Sequence, residues 1–288
     1  LQFFTKVMKT INWLSETAFL FISVFSLHAQ KISQPVDLVY PQLDTENSRW
    51  IFFSSACRPF GMVNLSPDNK TDTDWGSGYR YEKDSIKFFS HIHGWQLSGV
   101  PVMPVTGEFK GHLGPDVYGS KYSHDKEIVK PGYHSVILEN YGIKAELTST
   151  TRVGFHRYQY PAAKESYLLL DLGTFLGPSG TKSGYAKKVN DREIQGYALM
   201  DKTLRRPKEL YVFFDIQFDT PFENMSAWEN GKLIGIVNEY KGSKGGVYVK
   251  FDTKKGKVIL MKVGISYVDA DQSRLNIQLE LPHWDFDR

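Results

Sequence analysis

The chain has 288 residues, of which 41% are apolar and 23% charged, values that exclude intrinsic disorder and leave ample material for one large core. Its 35 basic and 32 acidic residues give a formal net charge of +3, and the densest basic cluster, residues 202–208, is too short to make the basic face that nucleic acid requires. A single cysteine, Cys57, excludes an intrachain disulfide framework, so stability has to come from packing.

Taken in chain order, the first predicted element is a targeting segment. Met8-Lys9-Thr10 resembles a translation start, and Lys9 precedes an apolar run over residues 18–27. That run is too short to span a bilayer and has the length of a signal-peptide core. Leu27-His28-Ala29 makes an acceptable cleavage site, and no cysteine follows it to carry a lipid anchor. Residues 1–29 are therefore read as upstream residues and a signal-peptide helix. The mature chain is expected to be secreted or periplasmic, with no stable membrane span after cleavage near Ala29.

From Val36 onward the pattern is of short strands cut by turns. Gly132-Tyr133-His134-Ser135-Val136-Ile137-Leu138-Glu139 reads as a strand, closed by Asn140-Tyr141-Gly142 and paired with the alternating run Ile143-Lys144-Ala145-Glu146-Leu147-Thr148-Ser149-Thr150. Further runs follow at 154–160, 166–172, 209–218, 247–251 and 257–268, and Asn230-Gly231 is a hairpin signal between two more. No stretch between Val36 and Val268 sustains a 3.6-residue apolar stripe, so the predicted class is all-β, an antiparallel β-sandwich. One domain over residues 30–272 is the simplest division. Residues 273–288 begin a helix that Pro282 stops, and Trp284-Asp285-Phe286-Asp287-Arg288 has neither a closing strand nor a polar tail.

The chemistry-bearing residues crowd into 54–107. His91-x-His93 places two imidazoles on one face if the backbone is extended. That spacing suits metal ligation, yet a cupin-type site would want a Glu four or five positions after His93, where Leu97 and Ser98 stand. Packed histidines and polar substrate contacts remain as readings of the pair. Asp72 and Asp74 lie on one short loop, where turn formation explains them better than a pair of carboxyls straddling a glycosidic bond. Trp75 and Trp95 sit in Gly-flanked sequence, as core-edge cover or as platforms for a sugar face. The high aromatic content, 14%, fits strands and sugar binding alike. Cys57 reads as a small packed residue.

In order along the chain, Pro59-Phe60-Gly61-Met62-Val63 with Leu65-Ser66-Pro67-Asp68, Trp75-Gly76-Ser77-Gly78-Tyr79, Phe89-Ser90-His91-Ile92-His93 and Met103-Pro104-Val105-Thr106-Gly107 resemble the successive signatures of one known domain. So do Lys130-Pro131-Gly132-Tyr133-His134, Lys144-Ala145-Glu146-Leu147-Thr148, Arg152-Val153-Gly154-Phe155-His156 and Val263-Gly264-Ile265-Ser266-Tyr267. That domain is the N-terminal domain of glycoside hydrolase family 92, the calcium-dependent exo-acting α-mannosidases. The resemblance implies a sandwich of the super-sandwich type followed by an (α/α)6 catalytic barrel that holds the calcium, the general acid and the general base. It implies a mannose-containing glycan as substrate, α-1,2 linkage preference and hydrolysis with inversion. Trp75, His93, Trp95, His91, Asp74 and Tyr79 become candidate substrate contacts, with no catalytic or metal-binding residue in this chain and no cofactor of its own. Residues 273–288 become the start of a linker to the barrel as partner, and the chain alone is expected to be inactive. The sequence departs from the family where Gly94-Trp95-Gln96 is inserted before Leu97-Ser98-Gly99, and at Ala56-Cys57-Arg58. A stand-alone carbohydrate-binding or interaction module is the alternative.

Overall fold

The computed structural model describes residues 34–47, 53, 56–72, 75–94, 97–174, 176–177 and 180–288. The expected signal-peptide helix within residues 1–29 lies outside them, as do Asp74 and Trp95. The chain divides into two compact units at Val39/Tyr40. The described part of the first is a 3-10 turn, Pro35–Leu38, started by proline and closed by Asp37, whose carboxylate accepts from the Gln34 amide at 2.9 Å.

The second unit is an all-β sandwich. Its first large sheet has the order Ala56–Cys57, Asn64–Asp68, Phe88–Ser90, Val102–Thr106, Ser166–Asp171, Gly245–Lys250, Met225–Glu229, Lys232–Ile236. The second has the order Glu239–Gly242, Thr181–Asn190, Glu193–Met200, Leu210–Phe218, Lys257–Ser266, Val153–Tyr160, Ile143–Ser149, Tyr133–Leu138, Ile128–Lys130. Every pairing in both sheets is antiparallel, as expected of consecutive strands joined by short turns. The Asn230-Gly231 hairpin forms as the sequence predicts. Both residues adopt positive φ, 51° and 73°, the combination that a two-residue turn matched to strand twist requires.

Period-2 alternation decides what each strand buries. Along Val153–Tyr160, His156, Tyr158 and Tyr160 face the interior, while Val153 and Phe155 face outward into a second, smaller apolar cluster. The main core fills the space between the sheets, where Phe89 of one meets Tyr158 of the other at a ring separation of 6.2 Å. Each such large side chain taken fully out of water contributes roughly 1.5–3 kcal/mol.

The outward cluster is covered by the helix Ala270–Glu280. Asp269 caps it by accepting from the Gln272 amide at 2.6 Å, and Asn276 anchors it by donating to the Ile265 carbonyl at 2.8 Å. The approach is close because residue 264 is glycine: a Cβ there would stand 2.3 Å from the Ser273 carbonyl oxygen. Beyond the helix the chain runs back over the sheet. Trp284 and Phe286 pack on Phe155 at 6.3 and 5.0 Å between ring centres. Arg157 lies 4.4 Å from the Phe286 ring and holds Asp287 with two hydrogen bonds of 2.9 and 2.8 Å. Residues 273–288, assigned from sequence to the start of a linker, thus lie on the sheet as far as Arg288. No helix among the described residues is long and apolar enough to cross a membrane.

Candidate functional site

Backbone hydrogen bonds tie several of the motif-bearing segments to one another. The amides of Met62 and Val63 both donate to the Thr151 carbonyl, at 2.8 and 3.1 Å, and the Asn64 amide donates to the His91 carbonyl at 2.9 Å. The first and third signatures are thereby braced against the turn that opens Val153–Tyr160. Within the first, Phe60 takes φ +60° with its ring fully exposed, a backbone state that costs a non-glycine residue about 1–3 kcal/mol. The second signature is a loop pinned at its base. Asn69 and Arg80 exchange hydrogen bonds of 2.7 Å in both directions, and Lys70 bridges Gly78. Trp75, on that loop, is half-buried, with the Arg205 guanidinium 5.8 Å from its ring centre. Arg205 belongs to the basic cluster that composition alone left without a role.

His91 and His93 do not stay side by side. The chain bends at His91 between the strands Phe88–Ser90 and Ile92–Gly94, so the two rings reach different partners. His91 Nδ1 stands 2.6 Å from the Val100 carbonyl. A carbonyl only accepts, so that nitrogen carries the proton and Nε2 is left an acceptor. Across the sandwich His156 Nε2 donates to it at 2.8 Å, and His156 Nδ1 accepts from the Tyr158 hydroxyl, also at 2.8 Å. The relay is complete with both rings neutral. Burial enforces that state, holding His91 down at about 4 and His156 well below its ordinary value.

His93 donates from Nδ1 to the Asn64 carbonyl at 2.6 Å, and its Nε2 faces Asp68 Oδ1 at 2.6 Å. Ser90 donates to the other carboxyl oxygen of Asp68 at 2.5 Å. Both side chains of the His93–Asp68 pair are withdrawn completely from solvent, so each takes the place of water as the other's partner. With every ring nitrogen of His91 and His93 engaged, neither presents a lone pair to a metal. Among the described residues no three His, Cys, Asp or Glu side chains are placed to hold one.

Tyr79 is fully buried, and its hydroxyl lies 2.9 Å from the Glu127 carboxylate. Glu127 also accepts from His134 Nε2 at 2.7 Å and from His124 Nδ1 at 2.5 Å. Burial alone would raise this carboxyl, but the hydrogen bonds from His134, His124 and Tyr79 outweigh it and hold Glu127 below the usual range. Glu127 sits in no motif, and the sequence carried no signal for it. Cys57 is half-buried in Ala56–Cys57, and burial pushes its thiol up, away from nucleophilic chemistry. Of the candidate contacts, then, Trp75 is half-buried on its loop, whereas Tyr79, His91 and His93 are buried in separate networks.

Two large antiparallel sheets packed over buried histidine networks define an all-β sandwich domain. The chain belongs to glycosyl hydrolase family 92: the model of that family's N-terminal domain matches residues 38–266. Its fold is similar to a family GH92 α-mannosidase of Bacteroides thetaiotaomicron solved with mannoimidazole. That structure is 29% identical, with a TM-score of 0.75 over 84% of this chain and 34% of that one. A family GH92 inverting mannosidase of the same organism shares the fold at 20% identity, with a TM-score of 0.74 over 86% of this chain and 34% of that one. An uncharacterized secreted glycosidase of Arthroderma benhamiae is 23% identical over 280 residues, 82% of this chain and 34% of that protein. The chain therefore spans about a third of the length of these relatives.

Proposed function

We propose that this chain is the substrate-pocket-contributing front domain of a secreted or periplasmic α-mannosidase. The parent enzyme removes terminal α-mannosyl units, with α-1,2 linkage and inversion as the specific reading. The observation that carries the proposal is the match of nearly the whole sandwich to the corresponding third of a mannosidase that binds mannoimidazole. In this reading the catalytic carboxyls and calcium belong to the partner barrel, outside this chain. One feature supports that assignment. Inverting hydrolysis needs carboxyls about 6.5–9.5 Å apart across an open cleft. Among the described residues the buried carboxyls are each committed elsewhere: Asp68 to His93, Glu127 to His134, Glu146 to Arg157, Asp171 to Tyr118 and Asp215 to Gln195 and Gln217.

Trp75 contacts the sugar beyond the scissile bond, from a loop whose base is fixed while its indole remains partly open. The buried groups His91, His93 and Tyr79 hold the motif segments in register, and Asp74 and Trp95 are further candidate sugar contacts. In the parent enzyme Trp75→Ala is expected to raise KM for α-1,2-mannobiose about tenfold, equivalent to about 1.4 kcal/mol, with kcat little changed. The 288-residue chain by itself is expected to release no mannose from α-1,2-mannobiose, followed by NMR of the anomeric protons. Turnover that persists through purification to homogeneity would overturn the front-domain reading and favour a self-sufficient enzyme. Tight mannobiose binding without turnover, lost in Trp75→Ala, would favour a stand-alone binding module.

A further inference from the structure

The outer face of the second sheet carries a recess that the reading above does not use. Beside the helix Ala270–Glu280 there is a cleft of about 540 Å3, bordered by the ends of Thr181–Asn190 and Leu210–Phe218 and by the chain after the helix. Its walls include Asn190, Glu193, Gln217, Arg274, Gln278 and Trp284. It shares no lining residue with the loop that carries Trp75.

The polar groups here are planar and held in fixed directions. Arg274 Nε donates to Glu193 Oε1 at 2.7 Å, and Asn190 Nδ2 donates to Glu193 Oε2 at 2.9 Å. Gln217 Nε2 donates to Asp215 Oδ1 at 2.9 Å. The terminal nitrogens of Arg274 and the amide of Gln278 make no hydrogen bond among the described residues, so at the cleft Arg274 offers donors and Gln278 both a donor and an acceptor. Trp284 is kept in place from the sheet side, with Lys262 Nζ 3.9 Å from its ring centre and donating to the Leu281 carbonyl at 2.8 Å.

We propose that this cleft is a second saccharide-binding site, in which Arg274, Gln278, Asn190 and Glu193 take the hydroxyls of a neutral glycan unit and Trp284 takes its C–H face. The charge balance selects the ligand class. Arg192 and Arg274 line the cleft opposite Glu193 and Asp219, so neither an anion nor a cation is favoured, and a polyhydroxyl ligand with both donors and acceptors is. The site holds glycan beside the helix Ala270–Glu280, apart from the loop that carries Trp75. This inference rests on the carbohydrate reading of the domain.

The test is titration of the 288-residue chain with α-1,2-mannobiose, followed by 1H–15N NMR of the tryptophan indoles. The Trp284 signal is assigned by its loss in Trp284→Phe, which keeps an aromatic ring against Phe155. Millimolar binding that shifts the Trp284 indole is expected. Gln278→Ala, a change at an exposed side chain, should weaken it at least about fivefold, while Trp75→Ala leaves it unchanged. Binding abolished by Trp75→Ala but untouched by Gln278→Ala would overturn the second site and leave the mannosidase reading standing. No binding at tens of millimolar would also overturn it, since turnover by the longer enzyme tests that reading separately.

Discussion

Asp68→Ala is expected to unfold the domain about 3–5 kcal/mol more easily than the parent chain. For a unit of this size that is a fall in Tm of roughly 6–20 °C, measured by scanning calorimetry. The reason lies in what the change leaves behind. His93 Nδ1 is committed to the Asn64 carbonyl, and its Nε2 has Asp68 at 2.6 Å and Ser90 at 3.1 Å as its neighbours. Removing the carboxyl takes the 2.6 Å partner from an imidazole that has no access to water, leaves Nε2 only the Ser90 hydroxyl at 3.1 Å, and opens a cavity in the buried network. Asp68→Asn should behave differently. Its amide nitrogen can donate to Nε2 of a neutral His93 while its oxygen accepts from Ser90, so the network closes again and the loss stays below about 1.5 kcal/mol. Equal, small losses for both substitutions would show that the pair is not a structural strut of the motif loops.

That pair also shows which parts of the protein were legible from sequence. Hairpins with a chemical signature at the turn were read correctly: Asn230-Gly231 forms with both residues at positive φ, and the strands on either side of Asn140-Tyr141-Gly142 pair as the expected hairpin. The hairpin of Thr181–Asn190 with Glu193–Met200 was not read. Its turn, Asp191-Arg192, carries no glycine, and Lys182, Lys187, Glu193 and Gln195 among its outward positions lower the apolar signal of the strands. The site was legible only as composition. His91-x-His93 suggested two rings on one face, but a bend at His91 breaks the alternation. The partners that define the rings, Asp68 and His156, lie 25 and 65 positions away in sequence. Glu127, which gathers Tyr79, His124 and His134, is likewise defined only by residues brought to it by the fold.

Asp215→Asn is expected to stabilise the domain at neutral pH and to do so less and less as the solution is acidified. Asp215 is fully buried on Leu210–Phe218, and burial, reinforced by the neighbouring carboxyl of Glu193, pushes it up to about 7 from an ordinary 3.8. Gln195 and Gln217 each donate to it at 2.9 Å, and the Arg274 guanidinium, 2.7 Å from Glu193, is 3.5 Å away, but these do not offset the desolvation. A carboxyl that holds its proton more tightly when folded adds stability that is fully present below pH 4. That stability is lost as pH rises through about 7, at up to about 1.4 kcal/mol for each pH unit between the two values. Asparagine imitates the protonated acid, donating to Glu193 without a charge to bury. The difference in unfolding free energy between Asp215→Asn and the parent chain should therefore climb from pH 4 to pH 7 and level off above it, read from urea melts at each pH. A difference that stays flat across that range would mean that Asp215 is ionised throughout and that Arg274 compensates both acids. The same carboxyl orients Gln217 at the wall of the cleft beside the helix. Asp215→Asn therefore also separates the stability of that wall from its proton, and the mannobiose affinity of the cleft should change little with the substitution while the pH slope disappears.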